Sequence, residues 1–210
     1  MSTLTTRPRR RPLRADASRN RRALIDAARV VFERDGFVDA RVTDIAEQAG
    51  LAHGSFYSHF ESKDDALAAV LEEVEEEMLH PSSAHLSRDE DPLAAIETAN
   101  RAYLEAYRRN AKLMAVLEQV ATVDERFRRL RRRRTAAFVR RNAAGIRRLQ
   151  ERGLADRTLD PELAALAISA MVSRTAYANF VYNSKPLGVG ALTATLTRLW
   201  VNALRLEAGD

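Results

Sequence analysis

Cysteine is absent from the 210 residues of this chain. Its absence excludes disulfides, thiolate nucleophiles, cysteine metal ligands and cysteine-based redox sensing. Histidine is scarce, with four residues. His80 and His85 flank a polar loop and could bind a metal, but two lone histidines in such a turn are usually solvated. We therefore expect neither a metal nor a cofactor.

Glycine and proline are also few, with 8 and 6 residues, and β-branched runs are rare. This composition predicts an all-α fold, and the hydrophobic content of 46% is enough for a core in one or two domains. Long apolar runs are missing as well, so no segment reaches the roughly 18 residues of a membrane span. The Arg-rich start is unlike a signal peptide, because charges interrupt the apolar stretch after it. We expect a cytoplasmic protein with no membrane partner.

Motifs of enzymes are missing too. The sequence has no Gly-x-Ser-x-Gly, no glycine-rich phosphate loop and no His-Glu-x-x-His. We therefore interpret the chain as a binding protein and not as an enzyme.

Positive charge is concentrated at the start of the chain. The net charge is +5, but residues 1–22 hold eight Arg and one Asp, so subtracting their +7 leaves −2 for the rest. Residues 1–17 have no hydrophobic period and are predicted to form a disordered basic arm. The arm either follows a DNA backbone or enters a minor groove, or it is a solvated tail with weak attraction to DNA.

Residues 41–63 read as a helix-turn-helix. One helix is predicted over 42–49, Gly50 makes the turn, and a second helix follows over 53–60. Ile45, Phe56 and Phe60 point inward. The outward side is small, polar and uncharged, and suits a major groove about 12 Å wide; it consists of His53, Gly54, Ser55, Tyr57, Ser58 and His59.

The run from Thr43 to Lys63 closely resembles the DNA-binding signature of TetR-family transcriptional regulators. The resemblance is strong over about residues 18–70, and over the remaining residues it extends only to the architecture. The resemblance implies base or phosphate contacts from Thr43, His53, Gly54, Ser55 and Tyr57, and phosphate contacts from His59 and Lys63. Arg41 departs from the family, which often has Ser or Thr there. Arginine caps a helix poorly, so we expect Arg41 to reach a phosphate instead.

Cap signals outline the other helices. We predict a first helix over 18–35, closed by Gly36, and a fourth from Ser62 to His80. Residues 81–91 form a polar loop, which gives three regions: the arm 1–17, a DNA-binding domain 18–80 with the connecting fourth helix, and a helical ligand-binding and dimerisation domain 81–210. Further helix starts are indicated by Asp91-Pro92, Asp124, Asp160-Pro161 and the segment Pro186-Leu-Gly188.

The third region is where we expect a small apolar or aromatic effector to bind. For each candidate the alternative is plain core packing, and Arg134 either pairs with an acid such as Glu118, extends to solvent or receives an anionic effector. The candidate residues are Tyr103, Tyr107, Met114, Leu117, Glu118, Phe127, Arg134, Phe138, Arg174, Tyr177 and Phe180.

The last two helices are too apolar to cover one core. They either form the centre of a large bundle or pack against a second copy, as the resemblance also implies. The interface residues would be Leu163, Leu166, Leu192, Leu196, Leu199 and Trp200. These observations together predict a homodimeric repressor that a small effector releases from a palindromic operator on double-stranded DNA. The competing hypothesis is an architectural DNA binder without sequence preference.

Overall fold

The structure is a computed structural model that describes residues 13–79 and 91–206, with side chains from residue 16 onward. Every regular element in these ranges is helical, so the all-α fold class is confirmed. The helices are α1 Leu13–Asp39, α2 Val42–Gln48, α3 His53–Tyr57, α4 Lys63–Leu79, α5 Pro92–Arg109, α6 Ala111–Val123, α7 Glu125–Glu151, α8 Pro161–Tyr177 and α9 Val189–Leu204, with a π-helical turn at Ala178–Tyr182 after α8.

Some predictions concern residues outside the described ranges. They are the basic arm as far as residue 12, the possible metal ligands His80 and His85, and the polar loop up to residue 90. Within the described ranges, no group of three or more His, Asp and Glu is placed to hold a metal ion. No helix in those ranges is long and apolar enough to span a bilayer.

Helix α1 begins at Leu13, five residues before the predicted start, so residues 13–17 of the predicted arm are part of this helix. An acid in the first turn, Asp16, pairs with Arg19 one turn later and stabilises this end of the helix. The helix breaks at Gly36, whose φ of 73° lies in the left-handed region. Gly36 therefore forms a kink and not the end of the helix, and the Phe37 ring that follows packs against the Phe32 ring with 6.0 Å between centroids.

The chain divides into two compact units, and the division falls inside α4, after Val70. The first unit contains α1 to α3 and the start of α4. Its core includes Leu24, Ile45 and Phe56, which have no exposed surface. Small Ala46 is buried beside Ile45 in α2, so the helices of this unit can approach closely.

The second unit contains the end of α4 and helices α5 to α9. Helix α7 packs against α6 and α8, and α5 packs against α9. The predicted helix starts are confirmed: Asp91, Asp124 and Asp160 each accept a hydrogen bond from a backbone N–H of the following turn, at 2.7–3.3 Å. The apolar side chains spaced along α7 are buried, at Phe127, Leu130, Phe138, Ile146 and Leu149.

Candidate nucleic-acid interface and cavity

Gly50 makes the turn between α2 and α3, as predicted. Its φ is +67°, and its N–H donates to the Glu47 carbonyl at 2.9 Å. The N–H of Leu51 then donates to the Ala46 carbonyl, also at 2.9 Å. These two bonds satisfy carbonyls at the end of α2 and close the turn tightly.

Helix α3 is shorter than predicted and ends at Tyr57, whereas we expected it to reach Phe60. The N–H groups of His59 and Phe60 both donate to the Phe56 carbonyl, at 2.9 and 3.0 Å. The bond from His59 spans three residues, and such bonds tighten the last turn of a helix. Ser58 and His59 therefore lie in the turn after the helix and not on it.

The outward side of α3 is available to a partner, because His53, Gly54, Tyr57 and Ser58 are exposed while Phe56 is fully buried. Tyr57 is 55% exposed, and its ring packs edge-on against the His53 ring with 5.4 Å between centroids. The remaining predicted DNA contacts divide between exposed Arg41 and Thr43 and half-buried Ser55, His59 and Lys63.

Arg41 precedes α2 with extended backbone, at φ −116° and ψ 145°, and its side chain makes no capping hydrogen bond. Only its carbonyl takes part, accepting from the N–H groups of Asp44 and Ile45 at 3.2 Å. This geometry agrees with the expectation that arginine does not cap the helix. The Thr43 hydroxyl donates to the Asp44 carboxylate at 3.2 Å.

Lys63 has a role that the sequence did not indicate. Its ammonium group donates to the carbonyls of Phe37, Val38 and Ala40, at 2.6, 3.2 and 2.9 Å, and lies 4.5 Å from the centre of the Phe37 ring. Three carbonyls match the three N–H donors of an ammonium group. A phosphate would have to displace at least one carbonyl, so the geometry does not favour the phosphate contact that the resemblance implies.

The second unit contains a cavity of about 190 Å³ between α5, α7, α8 and α9. Three of the predicted effector residues line it: Tyr103, Arg134 and Phe138. The Tyr103 and Phe138 rings meet edge-on with 5.2 Å between centroids. An apolar cavity of about 150 Å³ already holds a benzene molecule, so this one accommodates a ligand slightly larger than one ring.

Polar residues of α5, α7 and α8 line this cavity, and Trp200 lines it from α9. Asn100 donates to the Thr197 hydroxyl at 3.1 Å, and Asn142 donates to the Ser169 hydroxyl at 2.9 Å. The indole N–H of Trp200 is buried and has no hydrogen-bond partner among the described residues. A buried donor without an acceptor costs about 1–3 kcal/mol.

Arg141 connects the cavity to α4. Its guanidinium donates to the Leu79 carbonyl at 3.2 Å and lies 5.0 Å from the centre of the Phe138 ring. Burial lowers the pKa of Arg141, because the surroundings disfavour its positive charge. Burial raises the pKa of the Tyr103 hydroxyl, and the positive charge of the nearby Arg134 partly offsets this increase.

The other eight predicted effector residues do not line this cavity. Tyr107 stacks on Phe180 with 6.4 Å between ring centroids, and Met114, Leu117 and Phe127 are core residues. Glu118 pairs with Arg131 at 2.8 Å and not with Arg134, whose guanidinium instead meets the Met114 sulfur. Arg174 lies 5.6 Å from the Tyr177 ring, away from the cavity. Of the alternatives for Arg134, the ion pair with Glu118 is therefore not the one observed.

The predicted dimer interface also separates into two groups. Leu163, Leu166 and Leu199 are exposed, at 65%, 46% and 44%. Leu192, Leu196 and Trp200 are buried within the chain, on a helix that packs against α5. The structure therefore corrects the prediction for these three residues, which belong to the core of the subunit.

Sequence reasoning missed several cavity residues altogether: Asn100, Arg141, Asn142, Ser169 and Ser173. One signal was available, since Asn100 interrupts the apolar stripe of α5 four residues from Ile96 and three from Tyr103. A polar residue on a buried stripe needs a partner inside the protein. Arg141 carried no such signal among the many arginines of α7.

The sequence matches two family models. Residues 24–70 match bacterial regulatory proteins of the tetR family, and residues 94–205, just over half of the chain, match the C-terminal domain of the transcriptional regulator EthR. The HTH-type transcriptional regulator TtgR of Pseudomonas putida is 28% identical over 171 residues, which cover 77% of this chain and 80% of that protein. EthR of Mycobacterium tuberculosis is 24% identical over 197 residues, which cover 93% and 91%.

Among solved structures, the fatty acid degradation regulator FadR from Bacillus halodurans matches with a TM-score of 0.74 at 20% identity. The match covers 90% of this chain and 97% of that one. At this identity the likeness concerns the fold alone.

Proposed function

This chain belongs to the TetR family of transcriptional regulators, and from that premise we propose that it is a homodimeric repressor released from a palindromic operator by a small effector. Membership of the family makes it a DNA-binding regulator. The observation that carries the proposal furthest is α3, whose uncharged outward side is exposed while its inward side is anchored by fully buried Phe56.

In our proposal α3 enters the major groove, and His53, Gly54, Ser55 and Tyr57 contact bases or phosphates. Gly54 supports this. A Cβ added there would meet no atom of the protein within 4 Å, so folding does not require glycine. Glycine inside a helix costs about 1 kcal/mol relative to alanine. Close approach of DNA backbone or bases explains why the residue is nevertheless glycine.

Phosphate contacts would surround this helix. Exposed Arg41, Thr43 and Ser58 are the candidates, together with half-buried His59. The arginines at the start of the chain would add a salt-dependent attraction to the DNA backbone.

Dimerisation would use the exposed leucines of α8 and α9, namely Leu163, Leu166 and Leu199. A two-fold axis between subunits places two recognition helices about 34–36 Å apart, or somewhat further on widened DNA, and requires a palindromic operator. Replacing Leu163 and Leu199 together by Glu should give monomers in light scattering, with helix content unchanged. A dimer that persists would place the interface elsewhere.

The effector would act through α4, the helix in which the two compact units meet in sequence. Its last turns are held by the second unit: Glu77 accepts from Arg109 at 2.9 Å and from Asn110 at 3.1 Å, and Leu79 accepts from Arg141. A ligand that shifts Arg141 therefore acts on the end of α4. DNA affinity then falls by the ligand's preference between two subunit arrangements, and by no more.

The experiment that tests the function is a selection of bound sequences from random duplex DNA, at about 150 mM salt, close to physiological ionic strength, with excess competitor. Recovery of one palindromic motif supports a dimeric, sequence-specific repressor, which should prefer its site by roughly 10³ to 10⁷ over random DNA. Recovery of no motif, with binding that disappears as salt rises, would support the architectural hypothesis instead.

A further inference from the structure

We propose that the cavity between α5, α7, α8 and α9 takes a small apolar acid, with a body the size of one ring and a carboxylate that binds Arg141. This inference rests on the proposed function, because it names the chemical class of the effector that would occupy the cavity. Three observations lead to it: the charge of the lining, an unpaired indole N–H, and the size of the apolar space.

The charge of the lining is of one sign. Arg134, Arg141 and Arg148 line the cavity, and no Asp or Glu is among its lining residues in the described part of the chain. Arg141 is the one held between the cavity and α4, since its guanidinium donates to the Leu79 carbonyl at 3.2 Å and lies 5.0 Å from the centre of the Phe138 ring. A carboxylate that meets this guanidinium forms a charge-assisted hydrogen bond, which is stronger than a neutral one.

The second observation is the indole N–H of Trp200. The residue is 9% exposed and lines the cavity, and its N–H is buried without an acceptor among the described residues. The indole N–H therefore lacks an acceptor within the described part of the chain, and an oxygen atom of a ligand that reached it would supply one. A carboxylate, with about four acceptor positions on its two oxygens, can serve a guanidinium and a second donor.

The third observation concerns the rest of the space. The walls between the polar groups are apolar, from Ile96, Phe138, Val172 and Leu149. The volume of about 190 Å³ exceeds the roughly 150 Å³ that holds benzene, so a ring with a short side chain fits. A monocyclic acid meets these requirements. A cation of the same shape would meet three arginines, and a neutral isostere would forgo the charge-assisted bond.

Three probes of one shape test the inference: 3-phenylpropanoate, 3-phenylpropanamide and 3-phenylpropylamine. Trp200 is the only tryptophan of the chain, so its fluorescence reports directly on the cavity, and calorimetry supplies the affinities. We expect the acid to bind at least about tenfold more tightly than the amide, since a charge-assisted hydrogen bond is about twice as strong as a neutral one. The amine should not bind.

Arg141→Gln should reduce acid affinity to that of the amide, whereas Arg140→Gln, at the exposed neighbouring position outside the lining, should change neither. Circular dichroism checks that both variants fold. Trp200→Phe keeps an aromatic ring at this position but removes the donor and part of the ring volume, and it should weaken the acid several-fold in calorimetry while leaving the amide less affected.

Equal affinity of acid and amide for the unaltered protein would overturn the inference, and so would binding of none of the three probes. Acid preference that survives in folded Arg141→Gln would overturn the role of that residue. The proposed function fails differently, since it depends on release of the operator by some ligand. If a neutral compound occupied the cavity and released DNA, the proposed repressor function would stand and the proposal of an acidic effector would be refuted.

Discussion

The two compact units use polar side chains in opposite ways. In the first unit they lie on the outside of α3, at His53 and Tyr57, above a closed apolar core. In the second unit they lie inside, where Asn100, Asn142 and Trp200 face a cavity. An outward polar side leaves the apolar period of a helix intact, whereas an inward one interrupts it. Sequence patterns therefore reveal the first kind of site far better than the second.

The largest expected effect is the loss of stability on replacing a buried residue of α3, and an exposed neighbour on the same helix serves as the comparison. Phe56→Ala should cost about 3–5 kcal/mol of stability, because it removes a fully buried ring. Its neighbour Tyr57→Ala should change stability by less than about 0.5 kcal/mol and instead weaken operator binding. Hydrogen exchange of α1 to α3 measures the stability, and titration with labelled operator measures the binding. Unaltered DNA affinity in folded Tyr57→Ala would contradict the assignment of the recognition helix.

The second expected effect is a loss of stability at alkaline pH that originates in the second unit. Burial raises the pKa values of Tyr103 and Tyr107 above the ordinary value of 10.0. The unfolded chain then loses these protons first, so stability is complete below pH 10 and falls as pH rises above it. Each tyrosine accounts for up to about 1.4 kcal/mol per pH unit. Denaturation followed by Trp200 fluorescence between pH 9 and 11 should show the loss.

A matched variant sharpens this test. Replacing Tyr103 and Tyr107 together by Phe should flatten the alkaline slope, while Tyr57→Phe, at the exposed position of α3, should not. An equal slope in all three proteins would mean that ionisation of these buried hydroxyls does not limit alkaline stability.

The features that could be predicted from sequence follow the same division between outward and inward side chains. Every helix start that carries an Asp cap, at Asp91, Asp124 and Asp160, was found from sequence because a cap is local chemistry. The inward and outward sides of α3 were found from spacing alone. The length of α3 was wrong, because nothing local in Ser58 and His59 decides between a last helical turn and a bend.

Long-range partners could not be predicted. Lys63 binds carbonyls 23 to 26 residues away, and Asn100 binds Thr197 at a separation of 97. Trp200 was assigned to a dimer interface because its helix is apolar on more than one side, and only the packing of α9 against α5 shows which side is internal. Cavities arise from the fit between helices, which no single helix encodes.

The third effect concerns Lys63. Lys63→Met should destabilise the first unit by about 1–3 kcal/mol even without DNA, because three carbonyls lose a charged donor. Lys112→Met, at an exposed position of α6, is the control and should be neutral. Hydrogen exchange of α1 and α2 measures the loss. A variant that keeps its stability but binds operator weakly would restore the phosphate role that the resemblance implies.

The smallest expected effect is a gain in stability and not a loss. Gly54→Ala should stabilise α3 by about 0.5–1 kcal/mol, since glycine is a poor helix former and the added Cβ meets nothing in the protein. Operator binding should nevertheless weaken, because the methyl group stands where DNA approaches. Thermal unfolding and operator titration on the same sample decide the matter. Stabilisation with unchanged affinity would show that DNA does not approach Gly54 closely.

The turn at Gly50 has a consequence for handedness. A Cβ built there meets no other atom within 4 Å, yet the φ of +67° is one that L-residues rarely adopt. The constraint is therefore chirality and not space. A D-alanine introduced at this position by chemical ligation should fit without strain and tighten the turn by restricting the unfolded chain, whereas L-alanine, its mirror image and equal in volume, should loosen it.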